Sequence, residues 1–116
     1  MLRVSSQMTG SEVDMAAVNG AGRADAGVAH GRLLVAFTEA VMRGESAVME
    51  RERLRAVLSP ESFVDAAALI GAFNVVDRIA DATGIPLDPV MKTMSKEIRD
   101  QLDLVRFASA ANTPND

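Results

Sequence analysis

Helix-starting and helix-stopping residues bracket the segment from Ser59 to Asp88 and leave it one regular conformation, a long helix. Ser59 is a good N-cap, and Pro60 takes the first helical position, where its missing amide is no loss. Glu61 adds negative charge at the positive end of the helix dipole. Gly84 is placed to end the helix, with Pro86 just beyond. Between these marks, Phe63, Ala66, Ala67, Leu69, Ile70, Phe73, Val76, Ile79 and Ala80 make an apolar arc wider than one stripe. Such a helix is expected at the centre of a bundle, or packed against a neighbouring subunit as well as its own core.

The rest of the chain reads as shorter helices. Thr9-Gly10-Ser11-Glu12 has the form of a capping box, with Thr9 bonding forward and Glu12 reaching back. The short helix after it buries Val13, Met15 or Ala16, and Ala17, and stops near Asn19-Gly20. Gly20, Gly22 and Gly27 then form a flexible connection. A second helix is expected from Asp25 or Ala26 to Arg43, closed by Gly44, with Leu33, Leu34, Phe37, Ala40 and Val41 on its buried stripe. Glu39 and Arg43 are spaced to pair on its outer face. A third covers about Glu50 to Leu58, with Leu54, Val57 and Leu58 facing inward. Its charges alternate in sign, as on a solvated face. Asp88-Pro89 opens a fifth helix to about Ala108, on which Met91, Met94, Ile98, Leu102 and Val105 share one face. No strand-like alternation appears, so the expected class is all-α: one helical domain of about five helices over residues 9–108. Residues 1–8 are expected to be a flexible start and 109–116 a disordered, polar tail.

Composition narrows function by exclusion. The 116 residues suffice for one core, and 48% are hydrophobic, enough to pack it. A net charge of −4 argues against a phosphate-binding surface, so nucleic acid is not an expected partner. With no cysteine there are no disulfides, thiolate metal sites or thiol nucleophiles. No apolar run suggests a signal peptide or a membrane span, so a cytoplasmic protein without membrane attachment is expected.

Phe73-Asn74, Arg78, Ile79-Ala80-Asp81-Ala82 and Gly84-Ile85-Pro86-Leu87-Asp88 carry a resemblance. So do Leu33-Leu34, Phe37, Glu39-Ala40-Val41 and the acidic connector around Leu54. Together they resemble the carboxymuconolactone decarboxylase family, in particular its alkylhydroperoxidase-D-like branch. Gly10 to Arg23 looks like the short helix and glycine-rich turn that follow the family's active site, so the likeness spans about residues 9 to 88. It implies half of an alkylhydroperoxidase-D-like bundle and a homo-oligomer. The family's redox members use an upstream Glu, a Cys-x-x-Cys pair and a His. The corresponding region would fall before Met1 or in the first few residues, so no catalytic residue transfers.

Five polar residues remain as candidates. His30, the only histidine, reads either as a general base with Asp25 or Glu39 as acidic partner, or as a surface or capping residue. Asn74, Asp77 and Arg78, with Asp81, form a polar stripe on the long helix. Arg78 would be an anion clamp in a small-molecule cleft with Asn74 orienting, or the group is an intrahelical pairing without a ligand. Met91 and Met94 read as core filling, with an adaptable hydrophobic groove as the alternative. No cofactor is expected, and one histidine among scattered carboxylates makes no metal site.

The expectation is therefore a non-catalytic, self-associating helical protein, or a truncated family member. The enzyme alternative is part of a peroxidase or lactone decarboxylase whose catalytic segment lies upstream or on a partner subunit. A third alternative is a small-ligand binding module using Arg78.

Overall fold

The computed structural model describes residues 7, 8, 10 and 12–114. Thr9 and Ser11 of the expected capping box lie outside the described residues, as do 1–6 of the flexible start and the last two residues. The described chain is helical, without strands, and has five α-helices. They are α1 (Gly31–Met42), α2 (Val48–Arg55), α3 (Pro60–Thr83), α4 (Pro89–Met94) and α5 (Lys96–Gln101). Single 3-10 turns cover Met15–Asn19, Leu104–Arg106 and Ala108–Asn112. Two compact units divide the chain, Met1–Ile70 and Gly71–Asp116, with α3 contributing to each.

In the first unit the core is small. Phe37, Ala40, Ala47 and Leu54 are buried, with Leu33, Leu34, Leu58, Phe63 and Ile70 packed around them. The Phe37 and Phe63 rings meet at 5.6 Å between centroids, inclined by 44°, within the range of favourable tilted aromatic pairs. The stripe expected on α1 is thus the stripe that packs, although Val41 stays on the exposed side. Val57 also departs from expectation: α2 ends at Arg55, and Val57 turns outward while Leu54 is fully enclosed.

The start of α1 differs from the expected Asp25 or Ala26 for a backbone reason. Ala26, Gly27 and His30 all have positive φ (53°, 75° and 56°), which a right-handed helix cannot contain. Asp25 is spent on a local turn instead, its Oδ1 accepting from the Gly27 N–H at 2.9 Å. Asp14 does similar work upstream: its carboxylate accepts from the Ala16 N–H, capping the Met15–Asn19 turn, and from the Arg23 N–H, holding the loop that follows. Gly44 closes α1 as expected. At φ +71° it donates to the Val41 carbonyl, and Glu45 donates to that of Ala40, the paired bonds of a Schellman ending.

The Gly27 N–H, assisted by Arg23, holds the Asp25 carboxyl below the usual carboxylate range. A depressed folded-state value means stability that is complete above the unfolded value of about 3.9 and is lost as pH falls through the folded value. Asp25→Asn is therefore expected to flatten the acid limb of the stability curve. Thermal melts between about pH 5 and 2.5 check this, and equal acid slopes in the two proteins would contradict the turn described.

α3 begins and ends where its punctuation placed it. Ser59 Oγ accepts from the Ser62 N–H at 3.1 Å, and Gly84 turns out of the helix at φ +63°. The surroundings of its side chains do not match expectation, since no residue of α3 is buried. Phe63, Ala66, Ile70 and Ala80 are half-covered, whereas Ala67, Leu69, Phe73, Val76 and Ile79 lie exposed.

In the second unit the expected fifth helix is two short ones. Asp88 caps α4 as anticipated, its Oδ1 accepting from Val90 N–H at 2.8 Å. The regular ladder then changes over at Ser95. Ser95 Oγ donates back to the Met91 carbonyl at 2.6 Å, and the Arg99 guanidinium takes the Lys92 carbonyl at 2.7 Å. Such back-bonding competes with the helical ladder. Asp103, at φ +48°, ends the α-helical run before the expected Ala108. Only Leu102 of the predicted stripe is buried; Ile98 is half-covered and Met91, Met94 and Val105 are exposed, so the two methionines do not fill a core.

Candidate functional site

The polar stripe on α3 is built by helical spacing alone. Arg78 Nε donates to Asn74 Oδ1 at 2.6 Å, one turn apart. Asp81 accepts at 2.7 Å from the Asn112 side chain, which fastens the Ala108–Asn112 turn against the end of the helix. Asp77 stands exposed and is not drawn into either bond. The structure thus brings Asn74 and Arg78 together, joins Asp81 to a different partner, and leaves Asp77 apart. Asn74 is half-buried and Arg78 exposed. A guanidinium in this setting attracts an anion only weakly, because water screens the charge.

His30 sits at the N-cap position of α1 in the left-handed region and makes no side-chain cap bond. Its carbonyl, not its ring, serves the helix, accepting from the Leu33 and Leu34 N–H groups. Both acids considered as its partners are engaged elsewhere. Asp25 accepts from Gly27 and from Arg23, and Glu39 accepts from Arg43 at 2.8 Å. The Glu39 hydrogen bond also raises the Arg43 guanidinium above its ordinary value. His30 and these acids therefore form no proton relay.

No protein-family model, curated protein or solved structure matches the chain. What the chain can bind has to be read from its own surfaces. Among the described residues, no group of three or more His, Asp or Glu is arranged to hold a metal ion. No described helix is long and apolar enough to cross a membrane.

Two shallow grooves in the first unit adjoin Leu58, and neither was anticipated residue by residue. One, of about 390 Å³, runs beside Arg55, Leu58, Pro60, Phe63 and Val64. The other, of about 440 Å³, lies between α1 and α3, with Leu34, Thr38, Ala66, Leu69 and Ile70 among its walls. Both are mainly apolar, and both open to solvent beside the exposed part of α3. Leu58 borders the two of them, so they are neighbouring parts of one uncovered apolar surface. The signal for them in the sequence was the width of the α3 apolar arc, more than a single neighbouring helix can cover.

Proposed function

We propose that this chain is a non-catalytic helical module that works by associating with itself, on a scaffold of the carboxymuconolactone decarboxylase type, in the cytoplasm. One observation carries the reading: Val64, Leu69, Phe73, Val75, Val76 and Ile79 of α3 are each more than half exposed. Soluble monomers seldom display a continuous apolar surface on this scale unless it binds something. The absence of cysteine removes the thiol chemistry that the resembled redox proteins perform. The scaffold reading is supported by the Gly84-Ile85-Pro86-Leu87-Asp88 exit from α3 and by the Leu33 to Val41 helix that precedes it.

Magnitudes set the expected affinity. Covering the exposed half of six such side chains is worth about 1 kcal/mol each, or about 12 kcal/mol over two copies, against an association cost of roughly 4–15 kcal/mol. At the favourable end of that range the dissociation constant is about 1 μM. Light scattering on the eluted peak at roughly 50 μM should therefore give a mass of at least twice the 12.3 kDa of one chain. A monomer at that concentration would overturn the proposal.

A further inference from the structure

Of the four asparagines in the chain, Asn19 alone precedes a glycine. In such a pair the side-chain amide carbon of the asparagine is an electrophile, and the main-chain nitrogen of the next residue is a nucleophile. Joining them closes a five-membered ring, an intramolecular acyl transfer whose partners are already tethered. Glycine leaves that nitrogen uncrowded, whereas Asn74 and Asn112 are followed by the β-branched Val75 and Thr113.

The fold of the first unit adds to what the sequence offers. Asn19 ends the Met15–Asn19 turn, and Gly20 is exposed at φ +77° with nothing within 4 Å of where a Cβ would stand. Water and hydroxide therefore have an open side from which to approach. The Gly20 N–H donates to the Ala17 carbonyl at 3.2 Å, the long end of the ordinary range, so its release costs little. The Ala21 N–H donates to Asn19 Oδ1, also at 3.2 Å. That bond draws the side chain forward along the chain. It also places a main-chain donor on the oxygen that turns negative when the ring closes, the arrangement of an oxyanion hole. The other two described asparagines are held differently: Asn74 Oδ1 accepts from Arg78, and the Asn112 amide donates to Asp81.

We propose that Asn19 is a self-modification site, converted in the folded chain to aspartate and isoaspartate. Hydroxide takes the Gly20 amide proton, the nitrogen bonds to the Asn19 Cγ, and the Cγ–Nδ2 bond breaks. Ammonia leaves, taking its added proton from water, and a cyclic imide remains. Water then opens the imide at either carbonyl, giving aspartate or, with the chain rerouted through Cγ, isoaspartate. Water is the sole co-reactant, and nothing is oxidised or reduced. Either product adds a negative charge to the net −4 of the chain. Isoaspartate also inserts a methylene into the main chain ahead of Gly20. The Gly20 and Ala21 N–H groups then lose register with the Ala17 and Ala16 carbonyls that close the turn.

The test is to incubate the folded chain, and the same chain unfolded in urea, at several values between about pH 7 and pH 9. Peptide mapping follows the amide at positions 19, 74 and 112, and enzymatic methylation of isoaspartate confirms the product. In the folded chain, position 19 should convert at least about tenfold faster than positions 74 and 112. Its rate should rise about tenfold per pH unit, as removal of the amide proton requires. The folded rate should also equal or exceed the rate in urea, because the Ala21 donor is in place only when the turn is formed. Asn19→Gln, which would have to close a larger ring, should keep its amide and remain folded by circular dichroism. An amide at position 19 that persists in the folded chain while converting in urea would overturn the proposal, since the turn would then protect the pair. Equal conversion at all three positions would overturn it too.

Discussion

Leu54→Ala should cost the first unit about 2–5 kcal/mol, the range for emptying a tightly enclosed leucine site. Leu54 is 0% exposed and sits among Phe37, Ala40 and Ala47. Two of those three neighbours are alanines, already at the minimum size for a side chain in a core. They cannot swing inward to fill the space, and the Phe37 ring is held by its contact with Phe63. The cavity therefore persists, which places the expected cost in the upper part of the range. Domain stabilities are only about 5–15 kcal/mol, and for a unit of this size each kcal/mol moves the melting temperature by about 4–8 °C. A fall of more than about 15 °C is expected on this scaling. Val57→Ala is the matched control: Val57 is 43% exposed and its truncation should change stability by about 0.5 kcal/mol or less. In urea titrations Leu54→Ala should lower the midpoint without changing the slope. A cost below about 1 kcal/mol would show that the centre of the core lies elsewhere.

Leu54 was legible in advance because its place follows from helical spacing, whereas Val57 was misplaced because the spacing was extended past the end of α2. The same division runs through the whole chain. α3 has the bounds that Ser59, Pro60 and Gly84 set, since capping and chain reversal are local chemistry between near neighbours. The helix expected from Asp25 or Ala26 starts only at Gly31, and Asp25 opens a turn instead. Nothing in the side chain of Ala26 announces a positive φ, and histidine, though found there more often than most residues, adopts one only where the surrounding turns impose it. The interrupted fifth helix escaped notice for a related reason. Met91, Met94, Ile98, Leu102 and Val105 keep their three- and four-residue steps across Ser95 and Asp103, so the periodicity passes over breaks that lie in the backbone.

Candidate sites divide in the same manner. The Asn74–Arg78 bond is a one-turn contact and was readable from spacing alone. The separation of Asp81 from that pair was not, because its partner Asn112 lies 31 residues away. Neither was the groove between α1 and α3, which needs Leu34, Leu58 and Ile70 from three segments brought together. Most consequentially, an apolar arc states that a helix surface must be covered and is silent on the cover. For α3 the sequence allowed a bundle centre or a subunit contact, and the exposed Leu69, Phe73 and Ile79 exclude the first within the described chain.

Gly31→Ala should reverse the sign that helix propensity assigns to it. Gly31 opens α1, where alanine is intrinsically better by about 1 kcal/mol. No positive φ is required at Gly31, so backbone freedom does not account for the glycine. Space does. A Cβ at Gly31 would stand well inside van der Waals contact of the Asp25 carbonyl oxygen and 2.7 Å from its carbonyl carbon. Those are backbone atoms, and the segment carrying them is fixed at both ends. Val28 N–H bonds to that same Asp25 oxygen, and Gly31 N–H bonds to the Val28 carbonyl, each at 2.9 Å. Relief would require opening these turns and withdrawing the Asp25 side chain from Gly27. Overpacking of a fixed site costs about 1–3 kcal/mol, and the lost turn bonds add about 1 kcal/mol each. A destabilisation of about 3 kcal/mol or more is expected, seen as a lowered urea midpoint. The same change at Gly71, measured at dilution where chains are separate, should stabilise by about 0.5–1 kcal/mol, since its Cβ meets nothing. Two glycine-to-alanine exchanges in helices of one protein would then differ in sign. If Gly31→Ala were neutral, the close packing of the 25–31 turn against the start of α1 would be refuted.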